Sequence, residues 1–134
     1  MRAPWWIVPG LVVTAATLGV TGARLFARPS VVRDYAAMPG NATVRATTFL
    51  VEGVRCVDTA ERAARQLDDE PGVLRLTAWA PQAKLEITFD PARTDVDALR
   101  AALEGPVYDA STGEFRFGVY VVLDVDGVKV PDKS

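Results

Sequence analysis

Residues 47–67 read TTFLVEGVRCVDTAERAARQL, and three kinds of local structure follow one another along them. Thr47–Glu52 is β-branched and aromatic, which predicts a strand. Asp58 followed three residues later by Glu61 has the spacing of a capping box, so a helix is expected to open there. Ala60, Ala63, Ala64 and Leu67 then recur at helical spacing on one face. Between strand and helix stands the turn Gly53-Val54-Arg55-Cys56, which holds the only cysteine of the chain.

Working outward, Pro71-Gly72 stops the helix. Val73–Ala80 alternates, with Leu74, Leu76 and Ala78 on one side and Arg75, Thr77 and Trp79 on the other. Pro81-Gln82 turns the chain, and Lys84–Phe89 alternates again with Leu85, Ile87 and Phe89 inward. Thr94 and Asp97 predict a second helix start, with Val96, Leu99 and Leu103 sharing a face and Gly105-Pro106 ending it. Glu114–Leu123 predicts one long strand, with Phe115, Phe117, Val119, Val121 and Leu123 on one side. Asp126-Gly127 between Val125 and Val128 is a two-residue hairpin signal. The order is βαββαβ with an extra C-terminal strand or hairpin: an α+β, ferredoxin-like sandwich.

Residues 46–108 resemble the heavy-metal-associated (HMA) domain, the fold of small copper chaperones and of the N-terminal modules of copper-transporting P-type ATPases. That family follows its first strand with G-M-x-C-x-x-C, and later carries P-G-V, a Y-D-P-like turn and G-Y. Here the corresponding residues are Gly53-Val54-Arg55-Cys56-Val57-Asp58-Thr59, Pro71-Gly72-Val73, Phe89-Asp90-Pro91, and Gly105 with Tyr108. The resemblance implies a domain that binds or hands over a soft ion such as Cu(I), with Cys56 as ligand and Gly53, Val54, Arg55, Asp58 and Thr59 as the site loop. It departs from the family at the centre. Thr59 occupies the second thiol position, and a hard, protonated oxygen does not replace a thiolate for a soft cation. Val54 stands where the family has a methionine beneath the site.

One thiolate then needs a second ligand from outside: a second copy's Cys56, a small thiol, or a partner protein's cysteine. Met38, in the segment after the apolar run, offers a thioether, but nothing in the sequence places it near Cys56. Three alternatives to the metal reading stay open. Cys56 is a small turn residue in a metal-free protein–protein interaction module, a thiol in redox or transfer chemistry, or part of some other catalysis. The helix N-terminus and Arg55 both favour the thiolate, and Asp58 opposes it.

Residues 3–23, APWWIVPGLVVTAATLGVTGA, carry no charge and are long enough to cross a bilayer core as a helix. Trp5 and Trp6 suit an interfacial anchor at one end, with Arg24 and Arg28 at the other. Residues 1–28 are therefore expected to be a single-pass transmembrane anchor contacting lipid through residues 4–23, with a cleaved signal peptide as the rival. Residues 29–43 are expected to be a linker and 44–134 the HMA-like domain. The arginines after the apolar run outweigh Arg2 by about one charge, which places the domain weakly on the cytoplasmic side.

A chain of 134 residues is expected to fold as one domain. Histidine is absent, which excludes Ser-His-Asp and Cys-His pairs and any zinc site using imidazole. The formal net charge is −2 without clustered Lys and Arg, so no nucleic-acid partner is expected. No carboxylate pair has a catalytic setting, and no enzyme is predicted. Asp68-Asp69-Glu70 as a hard-cation site and Asp124 with Asp126 as a calcium loop both read better as solvated acids and as a hairpin. Trp79 is expected to cover the added C-terminal strand. The run Phe115–Leu123 offers an edge for strand addition by a second copy or a partner.

Overall fold

The computed structural model describes residues 28–38, 40 and 43–131. Its elements are β1 (Val31–Asp34), β2 (Arg45–Glu52), α1 (Val57–Arg65), β3 (Val73–Trp79), β4 (Lys84–Phe89), α2 (Val96–Leu103), β5 (Val107–Asp109), β6 (Glu114–Arg116), β7 (Val121–Val125) and β8 (Val128–Lys129). A single 3-10 turn, Ala80–Gln82, joins β3 to β4.

Six strands form one sheet in the order β1-β3-β4-β2-β7-β8, and every neighbouring pair is antiparallel. The inner four strands with the two helices are the split βαβ arrangement. β2 and β3 are parallel with β4 inserted between them, and β4 and β7 are parallel with β2 between. Alternation fixes which face is covered. Phe49, Val51, Leu76, Ala78, Leu85, Ile87 and Phe89 are buried, together with Ala60, Ala63, Ala64 and Leu67 from α1 and its C-terminal turn and Leu99 and Leu103 from α2. Small alanines on α1 let that helix approach the sheet closely.

Several expectations need correction. Residues 29–43 are not only a linker, because β1 adds a strand to the edge of β3 (Val31 opposite Ala78, Asp34 opposite Arg75). Just beyond β1, Tyr35 pins the chain by donating its hydroxyl to the Ala64 carbonyl at 2.6 Å, and within β1 Arg33 pairs with Asp68 at 2.7 Å. Burial holds the Tyr35 phenol far above its ordinary pKa. The folded unit therefore begins before residue 44. The run 114–123 is not one strand either. Gly118, at φ +69°, separates β6 from β7, and β6 pairs with β5 in a separate two-stranded hairpin. β7 buries Val122, and Tyr120 just before it is buried as well, while Val121 and Leu123 are exposed. Trp79 lies next to the β1 edge, far from the C-terminal strands in the sheet order, with the Lys84 ammonium 4.8 Å from its ring.

The Asp126-Gly127 hairpin forms between β7 and β8, with both residues at positive φ as a type I′ turn demands. Asp126 also accepts hydrogen bonds from the Thr47 hydroxyl and the Thr48 amide, and Asp124 accepts from the Gly127 amide. Those carboxylates close a hairpin. Likewise Asp68 answers Arg33, and Glu70 accepts from the Thr94 hydroxyl. No helix among the described residues is long and apolar enough to cross a membrane. The anchor expected over residues 1–28 lies outside them except for Arg28.

Candidate metal-binding loop at the start of α1

The turn from β2 into α1 is shaped by Gly53, at φ +103°. A β-carbon there would sit 2.3 Å from the Val119 carbonyl oxygen, so the chain needs glycine for both conformation and space. Val54 is buried beneath the loop, while Arg55 and Cys56 are exposed. Val54 belongs to the hydrophobic core.

Cys56 is the N-cap of α1, with extended backbone, and Val57 begins the helix. The expected capping pair Asp58 and Glu61 is therefore displaced by two positions. The reciprocal pair is Cys56 and Thr59. The Thr59 amide faces the Cys56 sulfur, and the Thr59 hydroxyl oxygen accepts from the amides of Cys56 (2.9 Å) and Arg55 (2.8 Å). The same hydroxyl lies 2.9 Å from the Cys56 carbonyl and 3.5 Å from Sγ. It has a single proton, so it donates to one of these at a time.

Thr59 is thus occupied in holding the loop. It also acts on the sulfur. The Thr59 hydroxyl first, and then the Thr59 and Asp58 amides at the helix start, hold the Cys56 thiol below the ordinary cysteine pKa; the Asp58 carboxylate opposes them. Among the described residues nothing covers the thiol.

Tyr120 is the residue that sequence reasoning missed. It is fully buried and donates its hydroxyl to the Thr59 carbonyl at 2.7 Å, tying the start of β7 to the first turn of α1. Burial raises its pKa. The signal was present in the opposite phase of the VYVVL run, which is apolar on both faces and does not reveal which face turns inward.

Cys56, Gly53, Val54, Arg55, Asp58 and Thr59 all belong to one loop and helix turn. Cys56 is the only thiol they supply. Among the described residues, no three cysteine or carboxylate side chains are grouped to hold a metal ion. A groove of about 720 Å³ between α1 and the β5–β6 hairpin is lined by Arg62, Arg65, Tyr108, Asp109, Arg116 and Val119, but not by Cys56. The loop therefore offers one soft donor, the Cys56 sulfur.

No family model matches the chain, and no curated protein is similar to it. Among solved structures it is similar to oxidized MerP from Ralstonia metallidurans CH34, with 18% identity and a TM-score of 0.43. The match covers 61% of this chain and all of MerP. At that score the likeness transfers nothing to the site, and the fold rests on the strand order and helix placement of the chain itself.

Proposed function

We propose that this protein is a metal-handling module of HMA type, held to a membrane through residues 4–23. It takes a soft ion such as Cu(I) on the Cys56 thiolate and completes the coordination with a thiol from outside the chain. It performs no catalysis of its own. The observation that carries this reading is the exposure of Cys56 at the start of α1. The loop's backbone donors are satisfied by Thr59, so the sulfur is left available for an external partner. A cysteine kept only as a small turn residue needs no such exposure.

The test is anaerobic Cu(I) titration of the full-length protein in detergent against a competing chelator, beside Cys56→Ala, with and without glutathione. Cys56-dependent uptake at one ion per two chains, with dimerisation, supports a shared bis-thiolate site. Uptake only with glutathione supports a mixed one. Uptake no greater than that of the alanine variant under either condition sinks both.

One observation favours a second reading, the metal-free interaction module. Phe115, Phe117, Leu123 and Val128 are exposed along β6 to β8, and β8 is an edge strand open to pairing. Loss of partner binding on substituting this strip, with Cys56→Ala silent, would select it.

A further inference from the structure

The strand register places the chain's entry beside the cysteine loop. β2 ends at Glu52, which is opposite Val121 at the start of β7. β3, parallel to β2, ends at the same edge of the sheet, and Val31 at the start of β1 is opposite Ala78. Hydrogen bonds tie this end together. Ser30 donates its amide to Ala78 and accepts from the Ala80 amide on its hydroxyl, and Val51 donates to Ala83 at the β3–β4 turn. Arg28 to Ser30, the loop Gly53–Cys56 and the approach to β7 therefore share one end of the domain.

That end also exposes three apolar side chains. Val57, next to Cys56, is 47% exposed, and Val121 is 38% exposed. Phe117, two residues before the Val119 carbonyl that abuts Gly53, is 79% exposed. The nearby charges are Arg28, Arg55 and Lys84 against Glu52 and Asp58, which nearly balance. A nearly neutral surface with a protruding phenylalanine suits the headgroup boundary of a bilayer, where aromatic side chains settle.

The incorporation of β1 makes the geometry tight. Only residues 24–30 separate the uncharged run from Val31. At full extension they reach roughly 25 Å, whereas a free linker to residue 43 would reach about three times as far.

We infer that the end of the domain carrying Cys56, Val57, Phe117 and Val121 lies on the lipid surface that anchors the chain. This rests on the anchor reading under Proposed function. Cys56 then meets its external ligand along the membrane plane, not from bulk solvent. The opposite end, at Arg93 after β4, is farther from the lipid by the length of β2, about 25 Å for eight residues.

The test uses the full-length protein in phosphatidylcholine vesicles doped with a headgroup-nitroxide lipid. A fluorophore is attached either at Cys56 or, in a Cys56→Ser background, at Arg93→Cys. Several-fold stronger quenching at Cys56, reduced by Phe117→Asp, is expected. Equal or reversed quenching in protein that stays with the vesicles through carbonate washing overturns the inference alone. A Cys56 label shielded equally in detergent assigns the face to another protein surface and also overturns it. Release by carbonate overturns the anchor and the inference together, while leaving the metal titration to decide the site.

Discussion

The two helices of this domain begin in different ways. α2 opens on Asp95, whose carboxylate accepts from the Ala98 amide at 2.8 Å, the arrangement that best satisfies a free helix-start donor. α1 opens on Cys56, whose sulfur, a weak acceptor, faces the Thr59 amide, while the Thr59 hydroxyl takes up the amides of Arg55 and Cys56. Both N-caps have the same extended backbone, so Asp or Ser would serve at residue 56 as well as Asp does at 95. A thiol there forgoes cap strength. Experiments on the loop and on the two caps decide whether the chemistry of the sulfur is what residue 56 is kept for.

The largest effect is expected at the glycine that sets the loop. Gly53→Ala must force a β-carbon against the Val119 carbonyl at positive φ, for an expected loss of about 2–4 kcal/mol in urea unfolding. Gly113→Ala, also at positive φ but with nothing within 4 Å, is the control. It should cost only about 1 kcal/mol. Equal losses would mean that the β7 approach does not brace the cysteine loop.

Thr59→Val comes next. It leaves the Arg55 and Cys56 amides without their acceptor, at roughly 1–2 kcal/mol, and removes the hydroxyl that most lowers the Cys56 pKa. The pH profile of thiol alkylation should therefore shift upward, and Thr59→Ser should restore it. A profile unchanged by valine would show that the helix start alone sets the thiol. At α2, Asp95→Ala should cost about 1 kcal/mol, with no change in Cys56 alkylation. That separation of stability from reactivity is what distinguishes the two caps.

The sequence exposes the frame better than the site. The periods of β2, β3 and β4 and the helical faces of α1 and α2 are each carried by local alternation, and the split βαβ order follows from them. β1 escaped because VVRD is short, and its strand character depends on the β3 edge beside it. The run 114–123 alternates without a break, so the sequence does not show that the chain divides into β6 and β7, and because Val119–Leu123 is apolar on both faces only the sheet decides which side is buried. At the site, the position and exposure of Cys56 fit the loop pattern. The role of Thr59 was hidden because a threonine in a thiol position reads as a lost ligand. Its close hydrogen-bonding neighbours exist only once the turn has closed.

The smallest effect bears most directly on the two helix starts. In Cys56→Ser a hydroxyl replaces the sulfur as N-cap acceptor, so the variant should be more stable than the parent by about a few tenths of a kcal/mol. The sign also depends on pH. The folded thiol pKa lies below its ordinary value, so the stabilisation linked to the thiolate is present above the unfolded pKa and lost as pH falls through the folded one. The advantage of serine should accordingly be clearest in mildly acidic buffer and shrink as pH rises into the thiolate range. Denaturation series at several pH values, read beside Cu(I) uptake, settle the matter. A serine variant that is more stable yet blind to metal would show a cap position held by sulfur for function. One that is less stable at every pH would show that the sulfur belongs to the fold, and the contrast between the two helix starts would lose its functional meaning.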